Sequence, residues 1–263
     1  MTSLQGFQRE IIDFHGVVLE MRSKGSGAPL MFLHPEDGIF GMDAVLDALA
    51  RDHKVIVPSH PGFGASDLPR SFTSVDDLAF FYLDLFDHLA LRDILLVGCS
   101  FGGWVAAQLA VTDCSRLSAL VLIDPFGIKN GGREDRDIAD MHALSEEELL
   151  SRLYRNPDRR PRFDALSDDD LLAIARNRES FAYFGWRPYM HDPKLKARLS
   201  RVRVPTLLLW GAEDGIVSPD YGLQYSQAIN GARFQIVANA GHFPHIEQPA
   251  VVSGSIQAFA ATL

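Results

Sequence analysis

Six short, unbroken apolar runs recur along this chain, and they constrain its fold more than any other feature: Leu30–His34, Lys54–Pro58, Ile94–Gly98, Ala119–Asp124, Thr206–Trp210 and Phe234–Ala238. Each has the length of a strand. Strands read as continuous apolar runs when both faces of their sheet are covered, as happens when helices connect parallel neighbours. Helical patterns do lie between the runs. From Ser74 to Leu89, apolar residues recur at helical spacing (Val75, Leu78, Phe81, Tyr82, Leu85, Phe86, Leu89), with Asp76 and Asp77 in the first turn, where the helix dipole favours negative charge. Two earlier segments, Gln8–Phe14 and Val17–Arg22, read as an N-terminal hairpin. The expected class is α/β, with a mostly parallel eight-stranded sheet and helices on both faces.

The rhythm breaks once. Residues 125–205 separate two strand runs by 81 positions, far more than one crossover helix needs. Leu144-Ser145-Glu146-Glu147-Glu148 and Leu166-Ser167-Asp168-Asp169-Asp170 each set a serine before acidic residues and then two leucines, which is a helix-start signature. An inserted helical cap is expected over one end of the sheet. The chain then divides into core 1–125, cap 126–200 and core 201–263.

Composition removes several classes of function. The 263 residues are 47% hydrophobic and 22% charged, which fits a globular domain rather than a disordered or fibrous chain. Against 34 acidic residues stand 25 basic ones, none in a run longer than a pair, so phosphate neutralisation on a nucleic acid is not expected. The acidic balance also disfavours strongly anionic substrates. Two cysteines, Cys99 and Cys114, make neither a disulfide framework nor a four-ligand zinc site. No metal-ligand spacing occurs, and Gly62-Phe63-Gly64 does not complete a dinucleotide fingerprint. The stretch Ile94–Thr112 is uncharged over 19 residues, enough to span a bilayer, but three glycines, a serine and a glutamine interrupt it. Strand, tight turn and buried helix explain it better. The N-terminus lacks a basic region followed by an apolar one. A cytoplasmic monomer or homodimer without membrane contact is expected.

Gly98-Cys99-Ser100-Phe101-Gly102 matches Gly-x-Ser-x-Gly between an apolar strand and a helical run, the setting that holds a serine on a strained turn with its hydroxyl free. A Cβ at either glycine would crowd so sharp a turn. A serine hydroxyl needs a base to take its proton. Of nine histidines, His242 follows the last strand in Gly241-His242-Phe243-Pro244, with His245 its near competitor. The group that orients the imidazole is expected to be Asp214, just past the penultimate strand; Asp124, at the end of an earlier strand, is the alternative.

With these pieces in place, the chain resembles the α/β-hydrolase superfamily over nearly its whole length outside the cap. The resemblance rests on Leu33-His34-Pro35, Pro61-Gly62-Phe63-Gly64-Ala65-Ser66, Gly98–Gly103, Trp210-Gly211-Ala212-Glu213-Asp214 and Ala240–Pro249, and on the order Ser100, Asp214, His242. It implies a cofactor-free serine esterase acting on a small-molecule ester, with an oxyanion hole from the amides of Phe101 and Glu36. The family usually has His-Gly where this chain has His34-Pro35-Glu36-Asp37-Gly38. Proline lacks an N–H, but the implied donor is the next residue, with Asp37 a second candidate. The side chains of Glu36 and Asp37 are expected to face solvent or a basic group. A serine nucleophile argues against the haloalkane dehalogenases and epoxide hydrolases of this fold, which place an aspartate there. Carbon–carbon bond hydrolysis and a non-catalytic ligand-binding role remain alternatives. Lesser expectations concern single residues. His34 shapes the oxyanion loop or touches substrate, Cys99 is packed, and His60 is on the surface. Glu247 and Pro249 fix the start of the final helix. Among the cap aromatics Phe181, Tyr183, Phe184, Trp186 and Tyr189, the residues Phe181, Phe184 and Trp186 are candidates to line the acyl pocket.

Overall fold

A computed structural model describes residues 4–132 and 134–263. In chain order the elements are β1 (Gln8–Phe14), β2 (Val17–Lys24), β3 (Ala28–Leu33), α1 (Asp43–Leu49), β4 (His53–Pro58), α2 (Val75–His88), β5 (Ile94–Cys99), α3 (Phe101–Thr112) and β6 (Leu117–Ile123). After them come α4 (Glu146–Leu153), α5 (Asp168–Gly185), α6 (Leu195–Arg198), β7 (Thr206–Gly211), α7 (Pro219–Gln227), β8 (Arg233–Val237), α8 (Pro244–Glu247) and α9 (Pro249–Ala260). Each of the six apolar runs coincides with a strand, the ends agreeing to within two residues. The fold is that of the α/β hydrolases: one eight-stranded sheet in the order β1-β2-β4-β3-β5-β6-β7-β8. Only β2 runs antiparallel, to both β1 and β4, and every later pairing is parallel.

Burial explains the pattern of the runs. Strands β5 and β7 are buried at every position, whereas the edge strands β1 and β8 are mostly exposed or half-buried. Helix α2 starts where Ser74 and Asp77 cap each other, and it buries Val75, Leu78, Phe81, Tyr82, Leu85 and Phe86. Helix α3 is buried on all sides except its last residue, which accounts for its lack of charge. Among the described residues, no helix is long and apolar enough to cross a membrane.

The segment between β6 and β7 is helical, and both expected serine caps form, Ser145 accepting from the Glu148 amide and Ser167 from that of Asp170. Its helix α5 is tied to the loops that follow β3 and β4. Arg176 donates to the Ser66 carbonyl (2.7 Å), Ser180 to the Gly62 carbonyl (2.7 Å), and Asn177 donates to the Asp37 carbonyl while accepting from the Gly64 amide. These bonds hold α5 at the carboxyl end of the strands, where α/β sheets keep their ligand sites.

Candidate active site

Three strand ends converge there. Ser100 sits in the turn between β5 and α3 with φ +51° and ψ −115°, a conformation costing about 1–3 kcal/mol that persists only where the surroundings over-determine it. Here they do. A Cβ at Gly98 would run into the Gly102 carbonyl, and one at Gly102 into the Leu33 carbonyl. The Ser100 amide donates to the Ile123 carbonyl (2.8 Å), fastening the turn to β6. Ser100 Oγ lies 2.8 Å from His242 Nε2, and His242 Nδ1 donates to Asp214 Oδ2 at 2.8 Å. The other Asp214 oxygen accepts from the Ile216 and Val217 amides, so the carboxylate is locked in direction. All three residues are buried.

Electrostatics fit this row. Burial alone would lower the His242 pKa, but the charge and hydrogen bond of Asp214, with Glu36 adding to them, outweigh burial and raise it. The histidine competitor is elsewhere: His245 faces Cys99 Sγ (3.2 Å), and burial drives its pKa down to about 3. Asp124 accepts from the Gly211 amide (2.9 Å), and burial beside the Asp214 charge holds its carboxyl well above the usual range. The residue hydrogen-bonded to His242 Nδ1 is Asp214, not Asp124. Asp124, Asp214 and His242 offer ligand atoms within 4.8 Å of one another, the geometry of a possible cation site among the described residues. Within that group His242 Nδ1 and Asp214 Oδ2 are hydrogen-bonded directly at 2.8 Å.

The sequence reading misses two supports of His242. The Phe126 ring stacks on the imidazole (centroids 5.1 Å, planes 14° apart). Glu247 does not serve the final helix: it accepts from the Gly241 amide (2.6 Å) and, across the site, from those of Arg155 and Asn156. Pro249 does occupy the first turn of α9 as expected.

On the opposite side of Ser100 the expectations need correcting. Asp37 meets a basic group, Arg178 (3.1 Å), but Glu36 turns inward. Its carboxyl is buried, and its Oε2 lies at hydrogen-bond distance, 2.6 Å, from Ser100 Oγ. Burial raises the Glu36 pKa, with His242 opposing and Asp37 reinforcing. The sheet register contained a signal. Leu33 pairs with Gly98, so residues just after β3 must lie beside the serine turn. His34 is not free to touch substrate, since its Nδ1 donates to the Pro35 carbonyl (2.7 Å) and its Nε2 accepts from the His60 amide (3.1 Å). Nor is His60 on the surface. It is buried between the Tyr82 hydroxyl (2.6 Å) and the His34 carbonyl (3.0 Å), and burial lowers the pKa of both rings, to about 4 for His34.

Residues 25–254 match the sequence profile of the alpha/beta hydrolase family. This chain belongs to that family. The 2-hydroxymuconate semialdehyde hydrolase of Pseudomonas sp. strain CF600 is 28% identical to it over 96% of this chain and 93% of its own length. A thermophilic esterase from Thermogutta terrifontis, solved with malate bound, superposes with a TM-score of 0.78 at 25% identity, covering 97% of this chain and 98% of the other. The enol-lactonase of Burkholderia xenovorans LB400 shares the fold, with a TM-score of 0.78 at 21% identity over 96% and 100% of the two chains.

In this alpha/beta hydrolase a cavity of about 210 Å³ adjoins Glu36 and is walled by Met141, His142, Leu149, Phe181 and Arg178. Phe181 lines it, while neither Ser100 nor His242 does. Phe184 is buried against the Phe101 ring instead, and Trp186 is 60% exposed, tilted against His142 and edge-on to Tyr189. A larger groove of about 640 Å³ passes the far side of Asp214, where neither Ser100 nor His242 reaches it.

Proposed function

We propose that this protein is a serine hydrolase of carboxylic esters that works through an acyl-enzyme. The row Asp214–His242–Ser100, bonded at 2.8 Å in both links, carries the reading. Ser100 Oγ attacks the ester carbonyl carbon while its proton passes to His242 Nε2, and the carbonyl π pair moves onto oxygen. Asp214 stabilises the imidazolium. The oxyanion takes hydrogen bonds from the Phe101 amide, which opens α3 and has no preceding helical carbonyl to serve, and from the Glu36 amide. His242 then protonates the leaving alkoxide. Water attacks the acyl carbon by the same route, releasing the acid and restoring Ser100.

Two observations support esters. A 25% identical neighbour is an esterase, and the cavity walls carry Glu36, Asp37 and Glu146, with Arg178 already held by the last two. So acidic a lining suits an uncharged acyl group. Carbon–carbon bond hydrolysis is the second reading, favoured by the likeness to 2-hydroxymuconate semialdehyde hydrolase. We assign residues 126–200 the role of a cap, supported by the ties of α5 to the loops beside Ser100. The free thiols of Cys99 and Cys114 suit the cytoplasm. Release of p-nitrophenol from acetate, butyrate and octanoate esters, with Ser100→Ala alongside, tests the proposal. Turnover that the substitution abolishes supports it, whereas a folded wild type inert to every ester overturns it in favour of carbon–carbon substrates.

A further inference from the structure

The Ser100 hydroxyl has two neighbours and one proton. Glu36 Oε2 lies 2.6 Å from Oγ on one side and His242 Nε2 lies 2.8 Å away on the other. Two hydrogen bonds along that row of three atoms require two protons, so Glu36 and His242 together hold one besides that of the serine. If it rests on His242, the serine donates to a carboxylate and its base is already protonated, which is an unreactive arrangement. If it rests on Glu36, the acid donates to Oγ, and Oγ donates to a neutral imidazole ready to receive its proton.

The surroundings favour the second arrangement. Glu36 is 2% exposed, and its Oε1 has no hydrogen-bond partner among the described residues. A carboxylate would leave half its charge buried and unpaired, whereas a neutral acid leaves only a carbonyl oxygen. The nearby guanidinium, Arg178, is bound to Asp37 and Glu146. A carboxyl 2.6 Å from Oγ is close enough to meet an oxygen of the attacked carbon that comes to lie on the Glu36 side, and Glu36 also lines the adjoining cavity, which leaves it room to follow.

We propose that Glu36 acts as a carboxylic acid that shifts its hydrogen bond from Ser100 Oγ to the acyl oxygen of the substrate, making a side-chain member of the oxyanion hole. This rests on the serine-hydrolase reading above. The acid keeps its proton throughout. As Oγ bonds to carbon and charge collects on the acyl oxygen, Glu36 donates to it, and the proton leaving Oγ goes to His242 as before. A neutral acid also avoids setting a carboxylate against the oxyanion. The groups facing Glu36 are His242, Asp37, Arg178, His142, Glu146 and Tyr154, with Cys99 behind Ser100.

The active form therefore carries one proton on the Glu36–His242 pair, and activity falls when the pair gains a second or loses the first. The test is kcat/KM for a p-nitrophenyl ester against pH in the wild type, Glu36→Gln and Glu36→Ala, with fluorophosphonate labelling of Ser100 and thermal unfolding recorded for each. The wild type is expected to give a bell. Glu36→Gln, which still donates but cannot ionise, is expected to keep the acid limb and lose the alkaline one. Glu36→Ala is expected to lose about 10²–10³ in kcat, the usual cost of one oxyanion donor. A wild-type profile without an alkaline limb, which requires no folded variant, overturns the proposal. So does an alkaline limb that survives in Glu36→Gln, or a Glu36→Ala enzyme at least as active as the wild type. A wild type that neither turns over esters nor labels at Ser100 sinks the hydrolase reading itself and this inference with it.

Discussion

Ser100 stands between two ionisable side chains at nearly equal distance, and the two sides are built in opposite ways. On one side His242 is fully committed: Asp214 accepts from its Nδ1, Phe126 covers its face, and Glu247 ties down its loop. On the other, Glu36 touches Ser100 with one oxygen and leaves the other bare, and its neighbour Asp37 takes the nearby arginine. A base must be held in one place and one tautomer. A donor that has to follow an oxygen from nucleophile to substrate needs a free end and a cavity beside it. The difference is one between a fixed partner and a movable one.

The severest way to break this comparison is to remove the atom both sides share. Ser100→Ala is expected to cost on the order of 10⁶ in kcat, leaving the substrate affinity of the cavity in place; a fall of only tenfold would show that the reaction runs through another group. Next comes the acid on the fixed side. Asp214→Asn should lower kcat by about 10⁴, because an amide neither stabilises the imidazolium nor selects its tautomer. Asp124→Asn should cost less than about tenfold, since the amide oxygen can still accept from the Gly211 amide and His242 Nδ1 is bonded to Asp214. Equal losses in the two variants would mean that the buried carboxyls act as one unit. The acid limb of the wild-type profile sharpens the same point. His242 must be neutral to accept a proton, and its pKa is raised, so the limb is expected above the usual histidine value of 6.5, and Asp214→Asn should move it down.

The fixed side was legible in the sequence, and the movable side was not. Ser100, Asp214 and His242 each lie just past an apolar run, so recognising the strands brings their ends to one edge. The turn glycines then leave one place for the serine. Glu36 shows the limit. Its place beside Ser100 follows from the run Leu30–His34, but the direction of its side chain depends on how residues 34–38 are held. Asn177 and Arg178 hold them from about 140 positions away through bonds to Asp37. His60 fails for a related reason: a polar residue in a loop reads as solvated unless Tyr82 and the His34 carbonyl are known to wait for it. Trp186 errs the other way, being near Phe181 in sequence yet past the last turn of α5 and turned toward water.

Smaller effects separate supports from bystanders. Glu247→Ala strips the acceptor from the amides of Gly241, Arg155 and Asn156, and should cost about 2–4 kcal/mol in urea unfolding at an unchanged slope. Because the same bonds hold the His242 loop, kcat should fall as well, while Ser100 remains in its turn.

Phe181 and Trp186 give the finest cut, because both are aromatic, both lie within one stretch of six residues, and only one lines the cavity beside Glu36. Phe181→Ala enlarges that cavity and removes a ring packed against Phe101 and Phe126. It should shift ester preference toward longer acyl chains while losing stability. Trp186→Ala removes an exposed ring and should change unfolding by no more than about 0.5 kcal/mol. Its chain-length profile should match that of the wild type. If Trp186→Ala alters acyl preference as much as Phe181→Ala does, the segment carrying both must fold inward when substrate binds, and the movable side of the site would then extend from one carboxyl to the whole end of α5.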